Sequence, residues 1–196
     1  VWSEINELKG QQFTLGWIHG VAPRGMTEWF SINEAIGILN NGHQPDGGAA
    51  HYHDAAGTKG VGVFGYSNKQ IKHWEFQYWG YWFHNMFYTN WLQADYAQKQ
   101  WFGGIQLAVQ SPTSSQQNLD YNERYIQPDE RGIVLSTQAG IQSLNKSVRL
   151  SLGFLRSFNK GRFLFPRELG REDFYLSQTR SYVDGFGNTN MYMVHL

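Results

Sequence analysis

Residues 71–79 read Ile-Lys-His-Trp-Glu-Phe-Gln-Tyr-Trp, and this stretch decides the fold. Its apolar residues recur at every second position rather than at every third or fourth. Successive side chains of a β-strand point to opposite faces, so the stretch predicts a strand with one apolar and one polar face. The apolar face holds Trp74, Phe76 and Tyr78, and the polar face holds His73, Glu75 and Gln77.

The same period of two recurs along the chain. It separates aliphatic from polar or small side chains in residues 105–110 and 148–154. These short amphipathic segments favour an all-β fold. Further candidate strands lie at residues 12–19, 88–96, 133–141 and 190–196.

The connections between these segments fall into two sizes. Short turns are predicted at residues 68–70, 97–100 and 143–146, and long polar or Gly-rich loops at residues 21–59, 111–131 and 157–188. Short turns at one rim and long loops at the other are typical of a transmembrane up-and-down β-barrel. We therefore predict an all-β, antiparallel transmembrane barrel. Residues 1–196 are expected to form a single domain, which is part of this barrel.

The composition excludes several classes of protein. The chain has 196 residues, and its 16 Lys and Arg balance its 16 Asp and Glu, so nothing favours nucleic acid as a partner. No run of about 18 apolar residues exists to cross a membrane as a helix. Cysteine is absent, which excludes disulfides and thiolate metal sites. The chain begins Val-Trp-Ser-Glu without an initiator Met or a signal peptide, so we expect a mature chain or a fragment.

Aromatic residues make up 16% of the chain and gather where the predicted strands end. Rings at both strand ends, with aliphatic residues between them, fit the two aromatic girdles of a membrane barrel. The alternative is a soluble β-sandwich or jelly roll that buries these rings or binds a ligand with them. The predicted girdle residues are Trp79, Tyr81, Trp82 and Phe83 in one group, and Tyr96, Trp101 and Phe102 in the other.

Three stretches resemble segments of the OprD-like family of substrate-specific outer-membrane porins. Residues 22–30 read Ala-Pro-Arg-Gly-Met-Thr-Glu-Trp-Phe, and residues 165–175 read Phe-Pro-Arg-Glu-Leu-Gly-Arg-Glu-Asp-Phe-Tyr. The second is followed by Arg180 and by Asp-Gly-Phe-Gly-Asn at residues 184–188, and residues 90–96 are similar to a family strand. These stretches span most of the chain in the expected order.

The resemblance implies an 18-stranded monomeric barrel of roughly twice this length, to which this chain would contribute eight or nine strands. It implies a Gram-negative outer-membrane location, contact with membrane lipid, and passive, selective diffusion of small carboxylate-bearing solutes such as amino acids, aromatic acids and small peptides. It implies neither catalysis nor a cofactor.

The same resemblance implies a ladder of basic side chains along the pore, facing an acidic patch. Guanidinium groups suit this role because they stay charged and present a planar fork to carboxylates. An alternative for each arginine is an ion pair within a loop, and the two acids equally fit structural struts. The candidate pore-lining residues are Arg24, Arg149, Arg162, Arg167, Arg171, Arg180, Glu75 and Asp95.

Other polar clusters do not support a different chemistry. His43, His51 and His53 lie in a Gly-rich stretch without the spacing of a metal site, so we expect no metal. Gly60, Gly62 and Gly65 precede no predicted helix and therefore do not form a phosphate-binding loop. No serine lies in a Gly-x-Ser-x-Gly motif, so nothing supports an enzyme.

Overall fold

The computed structural model describes residues 1–177 and 183–196. No helix among these residues is long and apolar enough to cross a membrane. The strands are β1 (Trp2–Ile5), β2 (Gln11–Ile18), β3 (Gly20–Val21), β4 (Phe30–Ser31), β5 (Val61–Asn68), β6 (Trp74–Phe83), β7 (Phe87–Gln98), β8 (Trp101–Pro112), β9 (Gly132–Gln142), β10 (Arg149–Ser157) and β11 (Thr189–His195). The helices are α1 (Ile32–Ala35) and the 3-10 turns Ser114–Asn118, Tyr121–Glu123 and Arg167–Leu169.

Nine strands form one antiparallel sheet in the order β1-β2-β5-β6-β7-β8-β9-β10-β11. Each strand pairs with the next one along the chain, except that the two-stranded ribbon β3–β4 is inserted between β2 and β5. The predicted all-β, up-and-down antiparallel arrangement is confirmed. A sandwich would need a second full sheet, but the second sheet among the described residues is this short ribbon, so that alternative is wrong.

All three long loops leave the same rim of the sheet. The first long loop (residues 19–60) joins β2 to β5, the second (113–131) joins β8 to β9, and the third (158–188) joins β10 to β11. At the opposite rim the connections are short, as between β7 and β8, where only Lys99 and Gln100 intervene. This is the distribution that the loop lengths predict for a barrel.

The two faces of the sheet differ as the alternation predicts. The face that the long loops pack against is the inner face, and the opposite one is the outer face. Large apolar side chains remain exposed on the outer face, including Leu92 (51% exposed) and Leu152 (62%). Apolar side chains this exposed across a whole sheet face fit contact with lipid. Other outer-face residues that are exposed are Leu15, Phe64, Trp74, Phe76, Ile105, Leu150 and Val194.

The buried core lies between the inner face and the long loops. One cluster joins α1 and the second long loop to strands β5 to β7, with Ile32, Phe87 and Ile126 almost fully buried. The other joins the third long loop to strands β7 to β10, where Phe163 and Phe174 pack against Leu155. The loops are therefore packed parts of the fold.

The prediction of the aromatic girdles needs a correction. Trp79, Tyr81 and Phe83 pack among the core residues, and Phe102 lies on the inner face beneath Arg149. Neighbouring residues of one strand alternate between faces, so a run of adjacent rings cannot all face lipid. By register, the outer-face rings are Trp17, Trp82 and Tyr88 near the loop rim and Trp74, Tyr96 and Trp101 near the turn rim.

Two boundaries also differ from the prediction. Strand β6 begins at Trp74 rather than at Ile71, because His73 adopts a positive φ of 70° that a strand does not accommodate. The sequence pattern does not predict strand β1. It is only four residues long and fully exposed at the edge of the sheet, so its sequence shows little periodicity.

Candidate functional site

The third long loop lies against the inner face of the sheet, where it is held by two glutamines of β8. The Gln110 amide donates to the backbone oxygen of Leu164 over 2.8 Å and accepts from its backbone N–H over 3.0 Å. Gln106 does the same with Asp173 and Tyr175, over 3.0 and 2.9 Å. Alternation places both amides on the inner face, so an extended loop segment can pair with them as it would with a strand.

Asp95 fixes the same loop to the neighbouring strand. Its carboxylate accepts hydrogen bonds of 2.6 Å from the Tyr175 hydroxyl and from Gln93. Burial, together with the nearby Asp95, raises the pKa of Tyr175, so the phenol stays a donor. Gly104 leaves the space for this contact, because a Cβ there would overlap the Tyr175 ring. Asp95 therefore acts as a strut between the wall and the loop.

A buried ion pair joins the second and third long loops. Arg162 binds Glu130 through two N–H···O contacts of 2.7 Å, and the Glu130 side chain is almost fully buried. Burial raises the pKa of Glu130, but hydrogen bonds and the charge of Arg162 outweigh it and leave the pKa lowered. The third guanidinium nitrogen donates to the backbone oxygen of His43 in the first long loop. We call this group the loop clasp.

Two more contacts complete the ring of loops. The Gly37 N–H donates to Glu168 over 3.1 Å, and Gln127 donates to Gln44 over 2.8 Å. Together with the loop clasp, these contacts surround a cavity of about 940 Å³, the loop cavity. Its lining includes Tyr52, Arg162, Arg167 and residues 39–45.

Three carboxyl groups of the third long loop are largely buried: Glu168 and Asp184 line the loop cavity, and Glu172 lies at a second cavity between this loop and the sheet. Burial raises the pKa of Glu168, Glu172 and Asp184, although backbone N–H donors oppose the shift in each case. Asp184 accepts from the backbone of Phe165 over 2.9 Å and from Arg167 over 3.0 Å. These acids are tied to the loop backbone and stabilise its course.

The second cavity, of about 410 Å³, lies between the inner face and the third long loop. We call it the wall cavity. The rings of Trp79 and Tyr81 border it on the sheet side, and Phe165 and Arg171 border it on the loop side. This space therefore combines flat apolar surface with a cation.

The structure brings together some of the predicted site residues and separates others. Arg162 and Arg167 line the loop cavity, and Arg171 lines the wall cavity. Arg149 lies at the far turn rim with its guanidinium 3.7 Å from the centre of the Phe102 ring. Arg24 is exposed in the first long loop and lines neither cavity.

The remaining predicted residues have different surroundings. Glu75 pairs with Lys69 over 3.0 Å and accepts from Gln77 on the inner face. Arg180 lies outside the described residues. Residues 1–177 and 183–196 contain no group of three or more possible metal ligands.

Sequence reasoning missed Glu130, Asp184 and Trp79 as residues of this region. Glu130 sits in a polar loop, where nothing in the sequence distinguishes a buried acid from a solvated one. Asp184 belongs to one of the stretches that resemble the porin family, which is a signal that could have included it. The sequence analysis predicts Trp79 as a ring of an aromatic girdle, although its parity with Glu75 and Gln77 places it on the inner face.

An antiparallel wall with an apolar outer face and a loop packed on its inner face is the architecture of an outer-membrane porin. No protein-family model matches the sequence, and no curated protein sequence matches it. Among solved structures, the fold matches Pseudomonas aeruginosa OccK8 (OprE) with a TM-score of 0.66 and 12% identity, over 98% of this chain and 50% of that one.

Two further porin structures match in the same way. Acinetobacter baumannii OccAB3 is 16% identical with a TM-score of 0.55, over 80% of this chain and 35% of that one. Pseudomonas aeruginosa OccK2 (OpdF), solved in complex with glucuronate, is 13% identical with a TM-score of 0.52, over 80% and 37%. The chain thus spans half or less of the length of these structures. The match establishes its fold as that of part of an Occ-type porin barrel.

Proposed function

We propose that this chain forms part of the wall and the constriction of a bacterial outer-membrane porin. Small carboxylate-bearing solutes would diffuse through it passively along their concentration gradient, without any bond being made or broken. The observation that carries the proposal is the position of the third long loop. It lies on the inner face of a sheet whose outer face is apolar, where it narrows the passage.

The charges along that loop support a preference for carboxylates. Arg167 and Arg171 border the two cavities that the passage would contain, and both side chains are exposed. A guanidinium group binds a carboxylate through paired hydrogen bonds. The glucuronate in the matching OccK2 structure is a solute of this class.

We assign Arg162 a different role from these two arginines. All three of its guanidinium nitrogens are engaged within the loop clasp, so we infer that it positions the loops. Arg149, at the turn rim, remains a proposed contact for solutes leaving the passage. Arg24 and Arg180 remain proposals from the sequence alone.

The test is conductance of the full-length protein in planar lipid bilayers, with Arg167→Ala, Arg171→Ala and the double variant. Each exposed charge contributes modestly, so we expect carboxylate binding to weaken roughly twofold to fivefold per arginine. Arg156→Ala is the matched control, because Arg156 lies on the outer face and binds Asn188 and Asn190.

Two results would count against the proposal, and they are distinct. A full-length protein that reconstitutes but passes no ions would contradict the porin function itself. A double variant with unchanged carboxylate affinity would remove Arg167 and Arg171 from the passage while leaving the channel intact.

A further inference from the structure

Trp79 lies flat on the inner face of the wall. Gly65 is its register partner on β5, and a Cβ placed on Gly65 would meet the six-membered ring of this indole. That point is nearest to Cζ3 and equally far, 2.8 Å, from both ring carbons bonded to it. Such near-equal short distances place the point above the ring plane and not beyond the ring edge. One face of Trp79 therefore covers Gly65, which leaves the opposite face as the one that can border the wall cavity.

A chain of hydrogen bonds fixes this orientation. The indole N–H of Trp79 donates to Gln77 over 3.2 Å, and the Gln77 amide donates to Glu75 over 3.2 Å. Lys69 pairs with Glu75 over 3.0 Å at the turn rim. The ring is held in place before any ligand arrives, which lowers the entropic cost of binding to it.

Tyr81 extends the flat surface. Its ring is tilted only 15° from that of Trp79, and the two ring centres are 6.4 Å apart. Because Trp79 lies against the wall, a near-parallel ring at this distance lies beside it and not on top of it. We call the pair the aromatic floor.

The neighbouring strand shows what such a surface binds. Trp91 is the register partner of Trp79, and its indole N–H donates to Gln93 in the mirror image of the Trp79–Gln77 bond. The ring of Phe174, from the third long loop, stacks on Trp91 with centres 4.3 Å apart. Trp91 is consequently only 8% exposed, whereas Trp79 is only partly buried and borders the wall cavity.

We propose that the aromatic floor is a subsite for carboxylates that carry a six-membered ring, either an aromatic ring or the pyranose ring of a sugar acid. The ring stacks on Trp79 as Phe174 does on Trp91, and the carboxylate pairs with Arg171 across the wall cavity. Asp173 borders the same space and accepts hydrogen bonds from hydroxyl groups on the ring. The cavity volume of about 410 Å³ lies within the range of small-ligand sites. This subsite rests on the proposed porin function and names the class of solute it prefers.

The experiment compares three probes on the full-length protein in planar bilayers: benzoate, glucuronate and the linear acid hexanoate. Trp79→Leu removes the ring but keeps apolar bulk. We expect it to weaken benzoate or glucuronate binding, or both, by roughly twofold to tenfold, a range set by the strength of ring stacking. Binding of hexanoate should stay unchanged. If Trp79→Leu weakens the binding of benzoate alone, the preferred solute is an aromatic acid. If it weakens the binding of glucuronate alone, the preferred solute is a sugar acid.

Trp82→Leu is the matched control, since Trp82 is on the same strand but on the outer face. Trp79→Phe keeps a ring and should restore most of the preference, and it serves as a second variant if Trp79→Leu does not form a heat-modifiable barrel. The proposed subsite would be wrong if Trp79→Leu weakened the binding of all three probes equally, or if it weakened the binding of neither ring acid. In both cases a conducting channel whose carboxylate affinity still depends on Arg167 would leave the porin function standing.

Discussion

At the scale of single residues, Glu130 is the clearest case of a side chain whose surroundings set its role. It is 7% exposed and binds Arg162 in a paired geometry, so neither charge is left alone in a poorly solvated space. Removing one partner of a buried ion pair usually costs more than the pair contributes, because the other charge stays buried. Glu130 is thus needed to keep the buried charge of Arg162 paired.

We expect Glu130→Gln to loosen the contact between the second and third long loops at neutral pH. The cost should be about 3 kcal/mol, as for other broken buried pairs. The measurement is the rate of protease cleavage in these loops of the full-length protein. Glu123→Ala is the control, since Glu123 is an exposed acid of the same loop.

The same residue predicts a pH dependence. The folded-state pKa of Glu130 is lowered, so its stabilising effect is present above its ordinary pKa of 4.5 and is lost as the pH falls through the lowered value. Protection of the loops from the protease should therefore fall in that acidic range for the natural protein, and this fall should be absent from Glu130→Gln. Glu168 and Asp184 have raised pKa values, so as the pH falls they take up protons above their ordinary pKa, and this uptake stabilises the loops instead of loosening them. Equal pH profiles for both proteins would contradict this account.

Sequence reasoning reached part of the residue-level picture. It predicts Arg167 and Arg171 as pore-lining residues, because they belong to a stretch that resembles the porin family; the structure places them at the two cavities, and their role in a pore stays a prediction. It offered Arg162 as a pore-lining residue with an ion pair as the alternative, and the structure shows the ion pair. Choosing between these needs the position of Glu130, which lies 32 residues away along the chain.

At the scale of elements, strand β8 presents a row of side-chain amides to the third long loop. Gln110 is fully buried, and its side-chain amide forms hydrogen bonds with both the backbone N–H and the backbone oxygen of Leu164. It also donates a hydrogen bond to the hydroxyl of Thr89. An apolar residue at this position would leave a buried N–H and a buried carbonyl without partners, at about 1–3 kcal/mol each.

We expect Gln110→Leu to release this part of the loop from the wall and so to raise the single-channel conductance of the full-length protein. Gln117→Leu is the control, because Gln117 is exposed in the second long loop. Conductance equal to that of the natural protein, with the variant correctly folded, would show that this anchor does not set the width of the passage.

The elements themselves were largely predictable, whereas their packing was not. A period of two depends only on neighbouring residues, so it assigned the faces of β6, β8 and β10 correctly. The loop contacts join residues far apart in sequence, such as Gly37 and Glu168, which are 131 positions apart. No local pattern encodes such a pairing, so the folded state of the long loops had to come from the structure.

At the scale of the whole molecule, the proposed porin function depends on which face of the sheet meets lipid. The nine-stranded sheet exposes apolar side chains on its outer face, while glutamines and the packed loops occupy its inner face. A membrane-spanning sheet needs this arrangement, because an Arg or Lys side chain facing lipid costs about 2–4 kcal/mol near the midplane.

The most direct test introduces single cysteines into these 196 residues, which contain none, and spin-labels them one at a time, with any cysteine elsewhere in the full-length protein replaced by serine. In the full-length protein in lipid bilayers, labels at Leu15, Leu92 and Leu152 should be reached by oxygen dissolved in the lipid. Labels at Gln12, Gln77 and Gln138, which face inward by register, should instead be shielded from lipid. If the first set were reached by a water-soluble quencher and the second by the lipid one, the sheet would be inside out and the porin account would be wrong.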